Sequence, residues 1–101
     1  MAHVRLSRRA RQDLIEIWVA IARHDVAAAD RAYAKLLACT TLLARHPEVG
    51  RRRPEIAPAA RSLAERPYVI LYCMDHFGVH VVRVVHGARD LTHEVFDDDA
   101  L

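Results

Sequence analysis

The spacing of apolar residues predicts two helices in the first half of the chain. Over residues 8–24 apolar positions recur every three or four residues, which places one stripe on a single helical face: Leu14, Ile17, Trp18, Ile21 and Ala22. A second stripe over residues 27–45 comprises Ala29, Tyr33, Leu36, Leu37, Thr40, Leu43 and Ala44. Ser7 and Asp25 can cap these helices, because their side-chain oxygens accept bonds from unpaired amides. The short link predicts an antiparallel helical hairpin.

Shorter patterns predict strands in the remaining segments. Residues 3–6 alternate before the first helix, and residues 61–65, 68–74 and 79–86 follow the second. The segment 68–74 is apolar at almost every position, which is typical of a strand buried on both faces. In the last strand, strict alternation puts Val82 and Val84 on one face, and Val79, Val81, Arg83 and Val85 on the other. Residues 47–60, punctuated by Pro and Gly, are predicted to be a loop.

The predicted order is β-α-α-β-β-β, an α+β fold in which an antiparallel sheet packs on the helical hairpin. The hairpin covers one sheet face, so we expect the other to be partly open to a partner. The chain of 101 residues has room for one core, in residues 1–91, followed by an acidic tail, 92–101. No apolar run approaches the ~20 residues of a membrane span, and the first residues lack a signal-peptide core. We therefore expect a cytoplasmic protein with no membrane partner.

Charge is divided unevenly along the chain. Residues 1–90 hold all 15 Lys and Arg and nine of the 13 Asp and Glu, a formal net charge of +6, whereas residues 91–101 carry −4. Lys35 is the single lysine, and arginine suits planar contacts with carboxylates or phosphates. The acidic segment has two interpretations that the sequence leaves open. It folds onto the basic body, in place of an acidic partner, or it is a solvated tail.

Candidate chemistry is concentrated at the end of the last predicted strand. Gly87 permits a sharp exit from the strand. The polar residues gathered there, or able to approach from neighbouring strands, are Arg61, Arg66, Arg83, His86, Arg89 and Asp90. Such a cluster can bind a phosphate or a partner carboxylate. Alternatively, Arg83 forms a structural ion pair with an acid, because buried pairs also occur in such positions.

Other chemical signals are weaker. Arg51, Arg52 and Arg53 lie in a loop bounded by prolines, where they could bind nucleic acid or an acidic peptide, or simply be solvated. His76 and His80 are four residues apart, but on a loop and strand that spacing does not bring them together. We therefore expect no metal site. The sequence has no Gly-rich phosphate loop and no Gly-flanked serine nucleophile, so we also expect no cofactor.

Five segments, in the right order, resemble the RelE/ParE toxin superfamily of type II toxin–antitoxin systems, and they are most similar to its ParE branch. They are Asp13–Ala22, Ala28–Arg31, Leu43–Arg51, Tyr68–Tyr72 and Val82–Asp90. The resemblance implies a bacterial toxin that traps DNA gyrase on cleaved DNA, blocks replication and arrests growth. It also implies neutralisation by a ParD-like antitoxin whose C-terminal segment lies over the helices and sheet. Direct sequence-specific binding of nucleic acid by the toxin alone is not expected.

This resemblance and the strand-end cluster together predict two interaction surfaces. The residues predicted to contact the target are Arg83, His86, Arg89 and Asp90, and we expect Arg83 and Arg89 to matter for toxicity. The residues predicted to bind the antitoxin are Trp18, Tyr33, Leu37, Arg51, Arg52, Arg53 and Arg61.

Two alternatives remain open from the sequence. The RelE branch cleaves mRNA on the ribosome, which needs cations near the scissile phosphate and a group that moves the 2′-hydroxyl proton. The residues that could serve here are Arg61, Arg83, His86 and Arg89. Phe96 stands about where that branch has a tyrosine, although His93 or His86 could replace its proton chemistry. The other alternative is a non-toxic binding module. Because acid–base groups are sparse, we favour a toxin that acts by binding over an enzyme.

Overall fold

Two helices and five strands form the part of the chain that the computed structural model describes, residues 2–87. In chain order they are β1 (Val4–Leu6), α1 (Arg8–Ala22), α2 (Val26–Arg45), β2 (Arg51–Arg52), β3 (Arg61–Glu65), β4 (Tyr68–Asp75) and β5 (Gly78–His86). The predicted α+β class and helical hairpin are confirmed. Neither helix is long and apolar enough to cross a membrane. Arg89, Asp90, His93, Phe96 and the acidic tail lie outside the described residues.

The five strands form one mixed sheet in the order β1-β5-β4-β3-β2. The prediction of a wholly antiparallel sheet is wrong for one pair, because β1 runs parallel to β5 while all other neighbours are antiparallel. A tight hairpin turn forces its two strands to be antiparallel. Since β1 and β5 are joined only through the rest of the fold, no turn imposes that direction on them.

A short strand, β2, lies within the segment predicted to be a loop. Arg51 pairs with Ser62 and Arg52 with Arg61, in antiparallel register. Two consecutive exposed arginines show no alternation of apolar and polar residues, so the sequence gives no strand signal there. As the edge of the sheet, β2 presents charge, which discourages uncontrolled pairing with other strands.

Both faces of the sheet are covered, and the prediction of a partly open face is wrong. Helix residues including Leu14, Leu36 and Leu43 pack on one face, against residues such as Ile70 and Tyr72. On the other face the loop after β2 folds back over the strands. Its apolar residues join the sheet in a second cluster: Ile56, Ala60, Leu71, Val82 and Val85. The loop is closed by a backbone bond of 2.8 Å from the Arg53 N–H to the Ala60 carbonyl.

A β-bulge in β5 overturns the alternation predicted for that strand. Leu71 pairs with Arg83 and Tyr72 with Val81, so Val82 is one residue more than its partner strand supplies. Val79, Val81 and Val84 therefore face the helices, whereas Val82 and Val85 belong to the second cluster. One extra residue reverses the facing of every later side chain, which a strict period of two cannot anticipate.

The turn after α2 is fixed by the fully buried Tyr72. Its hydroxyl donates to the Pro47 carbonyl and accepts from the Gly50 N–H, both at 2.8 Å. A Cβ on Gly50 would lie 2.5 Å from that hydroxyl, so space requires glycine. The Arg61 guanidinium donates to the Glu48 and Gly50 carbonyls at 3.1 and 3.0 Å. Burial is the main cause that raises the pKa of Tyr72, which keeps its hydroxyl a donor.

We expect Tyr72→Phe to lower the free energy of unfolding by about 1–3 kcal/mol, because a buried amide and a carbonyl lose their partner. Urea denaturation measures this change. Tyr33→Phe is the matched control, since Tyr33 is 40% exposed and its change should stay within about 0.5 kcal/mol. Equal effects of the two substitutions would contradict this account of the turn.

Candidate functional site

A buried ion pair joins α1 to β5 within the surface predicted to contact the target. Arg83 Nε donates to Asp13 Oδ2 at 2.8 Å, and Arg83 Nη2 donates to Asp13 Oδ1 at 3.1 Å. Asp13 Oδ2 also accepts from the Val84 N–H at 2.9 Å. Arg83 is 1% exposed and Asp13 is 4% exposed. This geometry matches the alternative interpretation of Arg83, a structural ion pair with an acid.

Asp13 reaches the backbone of β5 because β1 covers only part of the β5 edge. β1 pairs with β5 no further than Val81, so the backbone beyond needs other partners. The Ser7 hydroxyl donates to the Val82 carbonyl at 2.7 Å and accepts from the Ala10 N–H at 2.9 Å, which also caps α1. Asp13 then accepts from Val84. The first turns of α1 thus continue the edge that β1 leaves unfinished.

The cluster predicted at the strand end is assembled only in part, since Arg66 lies in the turn beside Pro67, whose carbonyl accepts from the Gly87 N–H at 2.6 Å. His86 is exposed at the end of β5, where its ring meets Tyr68 edge-on at 6.0 Å between centroids. Arg61 lies opposite Tyr72, whereas His86 lies opposite Tyr68 four residues earlier on β4, so Arg61 does not approach His86. Arg83 is buried, and direct contact of its guanidinium with a target does not fit that position. Arg89 and Asp90 lie outside the described residues.

The outer surface of the helical hairpin carries an apolar groove of about 340 Å³, here called the helical groove. It is lined by Leu14, Ile15, Trp18, Asp30 and Tyr33. Ile15 is 57% exposed and Tyr33 is 40% exposed, and the Trp18 indole N–H donates to Asp30 at 2.9 Å. Leu37, 36% exposed, lies one turn beyond Tyr33. The predicted antitoxin-binding residues Trp18, Tyr33 and Leu37 are therefore neighbours on one surface.

Ile15 is not among the residues predicted to bind the antitoxin, although the sequence holds a signal for its exposure. It is an apolar residue on α1 that lies off the stripe of Leu14, Ile17 and Ile21. An isoleucine placed outside the core-facing stripe of an amphipathic helix is exposed. Here it adds apolar surface beside Trp18.

The four arginines predicted to bind the antitoxin lie elsewhere and divide into two pairs. Arg51 and Arg52 are exposed on the edge strand β2. Arg53 is engaged within its loop, since its Nε donates to Glu55 at 2.7 Å and its Nη1 to Ser62 Oγ at 3.3 Å. The same Arg53 hydrogen bond lowers the pKa of the Glu55 carboxyl. Arg61 holds the turn after α2, so only the β2 pair presents its charge freely at this edge.

The part of the chain that the structure describes contains no group of side chains arranged as a metal site. Within residues 2–87, no three His, Cys, Asp or Glu side chains are grouped so that they could hold a metal ion. Cys39 and Cys73 are free thiols. Burial is the main cause that raises the pKa of both, which disfavours the reactive thiolate.

Comparison with known proteins decides the family. The family model of the ParE toxin of the type II toxin–antitoxin system, parDE, matches residues 4–91. The chain belongs to the ParE toxin family. Among solved structures, the chromosomal ParDE toxin–antitoxin system from P. aeruginosa is similar, with a TM-score of 0.74 at 21% identity. The match covers 85% of this chain and 96% of that chain, and it shows the shared fold. No curated protein matches significantly.

We expect Arg83→Met in this ParE-family toxin to lower the free energy of unfolding by about 3 kcal/mol, because the buried Asp13 then relies on the Val84 amide and on the partly exposed Arg9, 3.5 Å away. The double variant Asp13→Leu/Arg83→Met should recover part of that loss, since it removes both charges. Chemical denaturation measures both changes. The matched control is Arg5→Met, which removes the exposed pair of Arg5 with Asp75 and should cost about 1 kcal/mol or less.

A different result would reassign Arg83. If Arg83→Met keeps its full stability yet loses toxicity, the guanidinium acts on the target directly and its structural role is secondary.

Proposed function

We propose that this chain is a toxin that inhibits DNA gyrase, and so DNA replication, in the bacterial cytoplasm, and that a ParD-like antitoxin neutralises it. The observation that supports this proposal most is the ParE family match over residues 4–91. The match spans every described element from β1 to β5. The similar fold belongs to a ParDE toxin–antitoxin system, in which toxin and antitoxin are paired.

The geometry favours a toxin that acts by binding over one that cleaves mRNA. A ribonuclease must place cations on a scissile phosphate beside an acid or base. Of the residues considered for that chemistry, Arg83 is held by Asp13 and Arg61 is held by the Glu48 and Gly50 carbonyls. Both guanidiniums stabilise the fold and would have to leave buried or structural partners to meet a substrate.

The helical groove suits an apolar segment of the antitoxin. Its exposed Ile15 and Tyr33, with Leu37 one turn on, can receive apolar side chains spaced along a partner helix. Arg51 and Arg52 on β2 offer planar cations to any acidic residues of the same partner. The proposal therefore divides the predicted antitoxin-binding residues into an apolar surface on the helices and a charged one at the sheet edge.

A gyrase cleavage assay tests the proposed target. Purified chain, gyrase, ATP and supercoiled plasmid are incubated, then treated with detergent and protease and run on a gel. We expect linear plasmid only when both proteins are present, and growth arrest when the chain is expressed alone. Arrest with intact DNA and cleaved mRNA would instead support a RelE-like ribonuclease. Absence of arrest, of linear DNA and of mRNA cleavage would indicate a non-toxic binding module.

The groove assignment is tested by Tyr33→Ala/Leu37→Ala. We expect this double variant to weaken binding of the ParD-like antitoxin by about tenfold or more, because exposed apolar anchors commonly dominate an interface. Calorimetric titration of the toxin with the antitoxin measures the change. Phe77→Ala is the control, since Phe77 is 69% exposed but lies on the β4–β5 turn away from the groove. Equal weakening by both variants would contradict the assignment.

A further inference from the structure

A second cleft, of about 360 Å³, lies between α2 and the turn that joins β3 to β4. Its lining carries three cations: Arg31 and Lys35, one helical turn apart on α2, and Arg66 in the turn. Glu65 is the one acid among its lining residues, so the lining has a formal net charge of +2. We call this feature the cationic cleft. A neighbouring pocket at the end of β5 is lined by Arg83 and His86. The two pockets share Tyr68, but none of the three cations of the cationic cleft lines the neighbouring pocket.

The cations of this cleft differ in their partners from the arginines that stabilise the fold. Arg53, Arg61 and Arg83 each bind a carboxylate or backbone carbonyl. Within residues 2–87, Arg31, Lys35 and Arg66 form no ion pair at all, and all three are exposed. Like charges gathered in a cleft raise its potential and attract an anion.

In the sequence, an acidic segment follows closely after the residue that lies at the rim of the cationic cleft. The Gly87 N–H donates to the Pro67 carbonyl at 2.6 Å, and Pro67 lines the cationic cleft. The last described residue therefore lies at the rim of the cleft. Residues 91–101 follow soon after, with four acids and no Lys or Arg: Glu94, Asp97, Asp98 and Asp99. Glu94 is seven residues beyond Gly87, and an extended chain of that length spans roughly 23 Å.

The chemistry of this segment also matches the lining. The cationic cleft has apolar walls, including Ile21 and Pro67, beside its cations. The acidic segment places Val95 and Phe96 between Glu94 and the three aspartates. Apolar side chains can cover the walls while carboxylates meet guanidinium groups, which bind them in planar pairs. The phosphate backbone of a nucleic acid would leave the apolar walls bare.

We propose that the cationic cleft binds this chain's own acidic segment, residues 91–101. The segment docks across α2 and the β3–β4 turn, with its carboxylates on Arg31, Lys35 and Arg66. The contact is intramolecular, so its strength is independent of protein concentration, and it weakens as salt screens the charges.

Lys35 makes the contact directly measurable. It is the only lysine of the chain, so its amine is the only side-chain amine that a water-soluble carbodiimide can join to a carboxylate. The chain of residues 1–101 is treated with the reagent at low protein concentration and low salt, and the cross-linked peptides are identified by mass spectrometry. Glu65 lines the same cleft, so a link from Lys35 to Glu65 reports that the reagent reached it.

We expect links from Lys35 to Glu94 or to Asp97, Asp98 or Asp99 within one monomer, and their loss in 0.5 M salt. Arg31→Gln/Arg66→Gln keeps the amine but removes two cations, and should reduce these links roughly fivefold, since each exposed ion pair is worth up to about 1 kcal/mol. The matched control Arg8→Gln/Arg45→Gln removes the same charge from exposed positions outside the cleft and should leave the yield unchanged. Lys35→Arg should abolish the links.

Three results would overturn the proposal. The first is a link from Lys35 to Glu65 with none to residues 91–101. The second is equal loss of the links in the two double variants. The third is cross-linking between two molecules, which would assign the cleft to a second copy of the chain. The assay contains no gyrase or antitoxin, so none of these results bears on the proposed function.

Discussion

Asp13 fixes the helical hairpin to the sheet. Its carboxylate accepts from two nitrogens of Arg83 and from the Val84 amide, and Arg9 Nε forms a longer ion pair with it at 3.5 Å. Burying either charge alone would be costly, and the pairing offsets that cost only when the geometry is this complete. Since α1 is held at this point, the position of α2 packed on it follows. The helical groove and the cationic cleft both depend on that placement.

Local patterns were sufficient to predict most elements of this fold. Apolar spacing and the capping residues Ser7 and Asp25 predict both helices. A separate short pattern predicts the strand at residues 61–65. The failures are features that no local pattern encodes. The direction of β1 is set by the whole connection to β5, and β2 exists through its pairing with β3. The bulge at Val82 depends on register with β4.

Site residues were harder to predict because their partners are distant in sequence. Arg83, within a run of valines, suggests either contact with a target or a structural ion pair. Its partner Asp13 decides between the two, and Asp13 lies 70 residues away in the sequence. Arg61 presents the same problem, because its partners are carbonyls of a turn. The shared surface of Trp18, Tyr33 and Leu37 follows from the helical spacing, whereas their part in antitoxin binding stays a prediction.

Helix α2 contributes to the helical groove on one flank and to the cationic cleft on the other. Tyr33 and Leu37 extend the helical groove, whereas Arg31 and Lys35 line the cationic cleft. The two pairs have the same spacing but are offset by two residues, which is about 200° around a helix. They therefore lie on opposite flanks. An acidic segment docked in the cleft would not occupy the groove, so it need not compete with an antitoxin for apolar surface. Competition would arise only if the antitoxin also extends acidic residues over α2 to the same cations.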